Sequence, residues 1–437
     1  METKVFRKDL GVAREWNERR WAMVKTTRVA WVATLAGLAL ALCLFGALSP
    51  VQARTTSDQP AAILYWPKIV VDTTGRYTGG VPTDTLIRLS NTCAPGITGN
   101  PCAGLSTTGL NGMKQAHCFY IDANSHCSNN TTQICQTGAE CGVGSCVPGW
   151  SEIDFEIVLT KEQPLAWHAS EGLGRGDLPM YIPGLCGLPP IHICTSDSQC
   201  NGGCIRQQSN IGTGIPPVPE DPFIGSLQCI EYDPLANPPV PDQTATTNTL
   251  KGEATIESIP VDAVDLASYN AVGVKFLGSP GASDELLLDG VEYDSCPASL
   301  ILDHLFDNPE SPYLTDLTLV PCGNDFLSQT CGVATAQFVV FNEFEQRFST
   351  TRLVDCFLET PISNLDTPDP TRSIFSVLVQ GTLVGQTRIH PVGNAPTGRG
   401  LVGVARFLTE GGSTAYNLHQ AGSPTAPAAQ PDIITIP

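Results

Sequence analysis

The sequence predicts an all-β protein: two tandem antiparallel β-sandwich domains, the first carrying disulfide-rich loop insertions. Three observations predict this. Short alternating runs such as "TLIRLSN", "HCFYI", "EIDFEIVLT", "QFVVFNEF" and "SIFSVLVQG" recur between Pro, Gly, Asn and Asp, and no helical periodicity outlasts a turn or two after residue 53. The runs recur in a similar order in both halves. A cysteine pattern, C-x7-C-x5-C-x4-C over Cys127–Cys146, returns as C-x7-C-x5-C-x3-C over Cys186–Cys204.

The first element lies outside the fold. Val29 to Ala53 contains no charged residue, follows Lys25 and Arg28, and ends in Val51-Gln52-Ala53, with small residues where a signal peptidase reads. Residues 1–53 are therefore read as a signal peptide, with Met23 an alternative start, and the mature chain is expected to begin at Arg54. The competing reading is an uncleaved anchor, since the run is long enough to span a bilayer. Arg19-Arg20 is a poor twin-arginine signal because "WAMV" follows it, and Cys43 sits inside the apolar run, unsuited to lipidation.

The whole chain carries 24 Lys and Arg against 43 Asp and Glu. Without residues 1–53 the balance is 16 against 39, a net charge of −23. Such a surface repels nucleic acid and anionic lipid, so neither is expected as a partner. Membrane contact is expected only through an uncleaved signal segment.

The repeat suggests a first β-sandwich over 54–280, a connecting segment over 281–330 and a second β-sandwich over 331–437. The matched runs pair Asn91 with Asn342, Cys118-Phe119 with Cys356-Phe357, and Phe155 with Phe375. They also pair Gly225 with Gly403 and Tyr269-Asn270 with Tyr416-Asn417. Five matches in one order point to a tandem duplication. The clusters at 127–146 and 186–204 are then loop insertions into the first copy, where cross-links replace a core that a long loop cannot build. The run "FNEFEQRFS" has no clean apolar face and reads as an edge or bulged strand.

Of 17 cysteines, 16 remain after Cys43 is removed, and an even count in an exported chain reads as a disulfide framework. The candidates are Cys93, Cys102, Cys118, Cys229, Cys127, Cys135, Cys141, Cys146, Cys186, Cys194, Cys200, Cys204, Cys296, Cys322, Cys331 and Cys356. A zinc site would want C-x2-C knuckles, which neither cluster has. Cys93 and Cys102 flank a short Pro/Gly loop that permits a local bridge, and Cys118–Cys229 should link two strands of one domain. The last four pair among themselves, with Cys322–Cys356 the first choice.

The stretch "ICTSDSQCNGGC" resembles short cysteine-rich repeats of secreted proteins, EGF-like or Dickkopf-like in style. More broadly, "CFYIDANSHC", "IPPVPEDPFIGSLQCIEYD", "LKGEATI", "LTLVPC" and "FNEFEQRFS" make the chain resemble exported β-rich proteins of Gram-negative bacteria. The resemblance covers most of the mature chain and implies no activity.

Residues with chemical potential are each outweighed by a plainer reading. Gly398 to Gly403 spells G-x-G-x-x-G, but a Pro-containing loop precedes it and "LVGVARF" follows, so it reads as a turn into a strand. Arg175-Gly176-Asp177 lies in a Gly-rich loop, and Asn129 and Asn130 matter only in a glycosylating host. His117, His126 and His192 lie beside cysteines; His168 and Glu171 could form an acid–base pair, yet no nucleophile is marked. Asp284, Glu285, Asp289, Glu292 and Asp294 follow no EF-hand spacing. No catalytic, cofactor-binding or metal residue is assigned. The expected function is an exported structural or binding protein of the periplasm, cell surface or medium, with an unidentified envelope or extracellular partner. A secreted hydrolase using scattered carboxylates and a calcium-dependent carbohydrate or protein binder are the alternatives. Both inserts are expected to leave one end of the sandwich and form a composite recognition surface.

Overall fold

The strand β1 (Ile63–Val71) buries all nine of its residues, whereas β2 (Thr83–Asn91) alternates between buried and partly exposed positions. That contrast defines the layering, because a strand covered on both faces has no polar side with which to alternate. The computed structural model describes the chain from residue 59 to 437. Residues 94–113, 175–183, 206–213, 233–246 and 422–430 lie outside the description, as do shorter stretches within 136–203 and at 260–263, 279–283, 309–312 and 394–397.

The first half continues with β3 (Lys114–Asp122), β4 (Ser151–Leu159), β5 (Pro164–His168), β6 (Phe223–Tyr232), β7 (Leu250–Ser258), β8 (Asp265–Asn270) and β9 (Val272–Val274). They form a five-stranded sheet in the order β9-β1-β6-β3-β4, facing a four-stranded sheet in the order β8-β7-β2-β5. All pairings are antiparallel. Between the sheets pack Trp66, Ile87, Leu89, Tyr120, Trp167 and Leu227. The two polar tips meet inside this core, Trp167 Nε1 donating to Tyr120 Oη at 2.7 Å.

The second half holds β10 (Glu285–Leu288), β11 (Ser299–Leu305), β12 (Leu314–Pro321), β13 (Asn324–Asp325), β14 (Val333–Asn342), β15 (Arg347–Asp355), β16 (Leu358–Pro361), β17 (Val384–Val392), β18 (Leu401–Thr409), β19 (Gly412–Asn417), β20 (His419–Ala421) and β21 (Asp432–Thr435). Here the five-stranded order is β20-β11-β17-β14-β15 and the four-stranded order is β19-β18-β12-β16. Read in chain order, β11, β12, β14 to β20 occupy the places that β1 to β9 occupy in the first half. The segment 281–330, expected to connect two sandwiches, therefore supplies the interior strands β11 and β12 of the second.

Side chains repeat with the strands. Thr85 Oγ1 donates to Val70 O at 2.8 Å, and Thr315 Oγ1 donates to Leu305 O at 3.3 Å. Tyr269 Oη donates to Lys68 O on β1, and Tyr416 Oη to Asp303 O on β11. Asp122 at the end of β3 accepts from Asn124 N, and Asn342 at the end of β14 accepts from Phe344 N.

These bonds correct four of the five residue matches read from the sequence. Asn342 corresponds in place to Asp122, not Asn91, although Asn91 accepts from Cys93 N in the same local way. Cys118 lies within β3, but Cys356 sits in the turn between β15 and β16. Phe375 belongs to the loop between β16 and β17, whereas Phe155 is in β4. Gly225 pairs with Asp122 as Gly385 pairs with Asn342, while Gly403 on β18 has its counterpart in Gly252 on β7. Only Tyr269-Asn270 and Tyr416-Asn417 close equivalent strands, β8 and β19. The corrected register also relocates the inserts. The first stands where β14 and β15 have a tight hairpin, so "FNEFEQRFS" spans the turn and enters the edge strand β15, with Glu345 at φ 60° and Asn342 Oδ1 accepting from Phe344 N and Gln346 N. The second stands where the other half has the loop from Ile362 to Leu383.

A third layer joins the halves. The small sheet β10-β21-β13 covers the outer face of the first five-stranded sheet. Ile63, Tyr65, Phe119 and Ile230 there meet Leu288, Tyr293, Phe326 and Ile434, with Phe119 and Phe326 stacked at 4.0 Å. This explains the unbroken burial of β1. Residues Ala53–Pro437 consequently form one compact unit.

Five disulfides join described cysteines: Cys118–Cys229, Cys127–Cys141, Cys135–Cys146, Cys296–Cys322 and Cys331–Cys356. Cys118 and Cys229 face each other across β3 and β6. Their counterparts in the second half are the apolar pair Phe338 and Ile389. The expected Cys322–Cys356 bridge does not form. Cys331 precedes β14 and Cys356 follows β15, and because these strands are hairpin partners their ends are already adjacent. Cys322 instead meets Cys296 in the third layer. Cys93 is disulfide-bonded; Cys102 and Cys200 lie outside the described residues. The backbones of Cys186 and Cys204 pair directly in a small sheet whose other edge carries Cys194.

Candidate functional site

Both inserts leave and re-enter the same end of the first sandwich. The first departs after Asp122 and returns at Ser151, its antiparallel partner. The second departs after His168, whose partner Leu86 lies near the start of β2, and returns through β6, where Gly225 faces Asp122. Val71 opposite Phe223 and the Asp72–Thr83 bridge complete that end.

The two roots are tied by a polar cluster. Ala123 N donates to Ile224 O at 2.9 Å. The Asn124 amide donates to Pro222 O at 2.8 Å and to Glu220 Oε1. His126 Nε2 lies 3.0 Å from Glu220 Oε2. Gly149, on the way out of the first insert, passes so near that a Cβ would lie 2.0 Å from Asn124 O, which makes glycine a packing requirement there.

Asp122, His126 and Glu220 each offer one ligand atom, and these atoms lie within 4.8 Å of one another. They line a cavity of about 810 Å³ together with Ser128, Thr132 and Ser151. Burial pushes the Asp122 carboxyl up to about 8, and Glu220 adds to this by repulsion and by a shared hydrogen bond, against the lowering effect of the Asn124 N–H. The Asp122 carboxyl thus keeps its proton at neutral pH, beside an imidazole. One imidazole and two carboxylates are a donor set suited to a divalent transition ion, with positions left for an outside ligand.

The two other close groups, Cys127 with Cys135 and Cys141, and Cys331 with Asp355 and Cys356, have their sulfurs committed to disulfides. The residues weighed from sequence go elsewhere. His168 Nε2 lies 3.3 Å from Glu257 Oε2 rather than pairing with Glu171, which is exposed. Asp289 caps a turn, accepting from Val291 N and Glu292 N. Gly398 and Gly400 lead into β18, and a Cβ on either would run into Asp432. Arg175 to Asp177 and His192 lie outside the described residues. Asn129 donates to Cys141 O, and Asn130 accepts from Thr132 N.

Sequence reading missed Asp122 and Glu220 and saw His126 only as a neighbour of cysteine. The available signal was positional: "YIDANSH" and "VPED" are the polar stretches that flank the two inserts. No protein-family model matches the sequence, and no curated protein or solved structure matches it either. Among the described residues no helix is long and apolar enough to cross a membrane. The disulfides fit an oxidising, exported location.

Proposed function

We propose that the chain is an exported binding module of the cell envelope, and that its recognition end is the one bearing both cysteine-rich inserts. The observation that carries this is the cavity at the insert roots, walled by Asp122, His126 and Glu220. Rigid loops on a β scaffold are the usual place for recognition, and a cavity of this size takes a small ligand or a peptide side chain. A divalent ion of the zinc type held by these three residues would give the site a fixed positive centre in a chain whose surface is otherwise strongly acidic. The two halves, with their repeated strand order, descend on this reading from a tandem duplication, and only the first copy acquired inserts.

Calorimetric titration with zinc tests the site. The wild-type protein should bind one equivalent, and His126→Ala or Glu220→Gln should weaken binding about 10–100-fold or more, as loss of a ligand does. Calcium should bind more weakly than zinc, since imidazole is a poor ligand for it. Absence of zinc binding by the wild-type protein would remove the metal from the proposal. Unchanged binding in both variants would place the ion elsewhere.

A further inference from the structure

Away from the inserts, one lysine is buried where it can react. Lys68 sits at the bulge in β1, between Trp66 and Ile69, and its side chain is only 2% exposed. Its backbone is clamped by Tyr269, which accepts from Lys68 N and donates to Lys68 O. The side chain crosses from the first sandwich to the second. There Nζ lies 2.7 Å from Asp316 Oδ2 on β12 and 3.4 Å from Thr318 Oγ1, and it bonds Glu359 Oε1 on β16.

Glu359 reaches both partners. One of its oxygens holds the lysine. The other, Oε2, is buried with no donor on it, and the Asp316 carboxyl lies at hydrogen-bonding range of Glu359. Burial pushes the Glu359 carboxyl up, with Lys68 opposing and Asp316 reinforcing the shift. Lys68 is pulled down by burial, but the charges of Asp316 and Glu359 outweigh this and raise it. With one proton retained on Glu359, the direction in which burial pushes it, lysine, aspartate and glutamic acid make a neutral set. Passing the ammonium proton to the Asp316 carboxylate then leaves an amine and two carboxylic acids, with no net charge created inside the protein.

We propose that Lys68 and Asp316 condense into an intramolecular isopeptide bond, with Glu359 as the acid–base group. The neutral Nζ attacks Cγ of protonated Asp316, forming the N–C bond. In one relay, Glu359 Oε1 takes the proton released by nitrogen while the other oxygen of the same carboxyl gives up the proton it already carries to the departing hydroxyl. The C–O bond breaks and one water leaves, so no oxidant or other reagent is consumed. Nζ already lies 2.7 Å from an oxygen of the carboxyl it attacks, and holding two reactants this close lowers the entropic barrier to such a step. The product ties β1 to β12 across 248 residues of chain, a link between the halves that none of the five disulfides among the described residues makes.

Mass spectrometry of the reduced, alkylated full chain decides it. The wild-type protein should be lighter than its sequence by one water. Its tryptic digest should contain a branched peptide joining Lys68 to Asp316, with cleavage after Lys68 lost. Glu359→Gln keeps the shape of the side chain but not its acidity, and should yield the full mass and two linear peptides. Asp316→Ala should do the same. A wild-type chain at full mass, cleaved normally after Lys68, overturns the bond. A branched peptide in Glu359→Gln overturns the role given to Glu359.

Discussion

Asp122 converts its burial into a pH dependence of known sign. An exposed carboxyl loses its proton near 3.8, whereas Asp122 keeps it to about 8. Between these values the native chain binds more protons than the unfolded one, so stability falls as pH rises from about 4 to 8 and is level above. Urea denaturation at pH 5 and pH 8 should show this loss in the wild-type protein and a smaller one in Asp122→Asn. Zinc must displace the same proton, so its affinity should climb with pH up to about 8. His304 acts in the opposite sense. It is buried, held by Thr387 and the Leu305 carbonyl, and burial lowers it from 6.5 to about 4. The native state refuses a proton that the unfolded chain accepts, so its contribution is intact above 6.5 and is lost as pH falls toward 4. His304→Gln should flatten that acid limb in the same measurement. Little of this was legible in the sequence. Asp122 is one carboxylate among 43 acidic residues, and His126 and Glu220 are 94 residues apart, beyond any local spacing rule.

The strands preserve contacts rather than residue types, which is why the repeat was easier to suspect than to align. Thr85 and Thr315 share both identity and bond; Asp122 and Asn342 share the bond and differ in identity. A match by letters finds the first kind of pair only by luck, because alternating strands resemble one another in every register. Tyr-Asn is a readable signal since each tyrosine is pinned by its hydroxyl to the opposite sheet. Its two copies also touch, Asn417 Oδ1 accepting from Asn270 N at 3.1 Å. Gly252 and Gly403 show a second kept constraint. A Cβ on Gly252 would lie 2.1 Å from the Trp66 ring, and one on Gly403 2.6 Å from Leu319 and from Thr318 O. Each Gly→Ala replacement should cost about 1–3 kcal/mol through overpacking, measured as a shift in the urea midpoint. The alternation in β2 was legible because one face is partly exposed; β1 hid its role because neither face is.

At the scale of the molecule, the third layer decides what can stand alone. A fragment of residues 54–280 would expose Ile63, Tyr65, Phe119 and Ile230 to water. It is expected to bind an environment-sensitive dye and to self-associate; a monomeric fragment with a cooperative transition would show that the layer contributes little. Deleting 127–146 and 186–204 together should leave the second sandwich folded, because its core draws on neither insert. Two domains joined by a linker could be expected from sequence, since the residues that form the extra layer are scattered over three short runs. The runs also meet out of order: β21 lies between β10 and β13, and pairs in parallel with β13. Ile434, fully buried at its centre, should cost about 2–5 kcal/mol when replaced by alanine. This arrangement has a temporal side. On the ribosome, everything that β21 covers is made before β21 itself, so the layer it closes stays open until residue 435 has emerged.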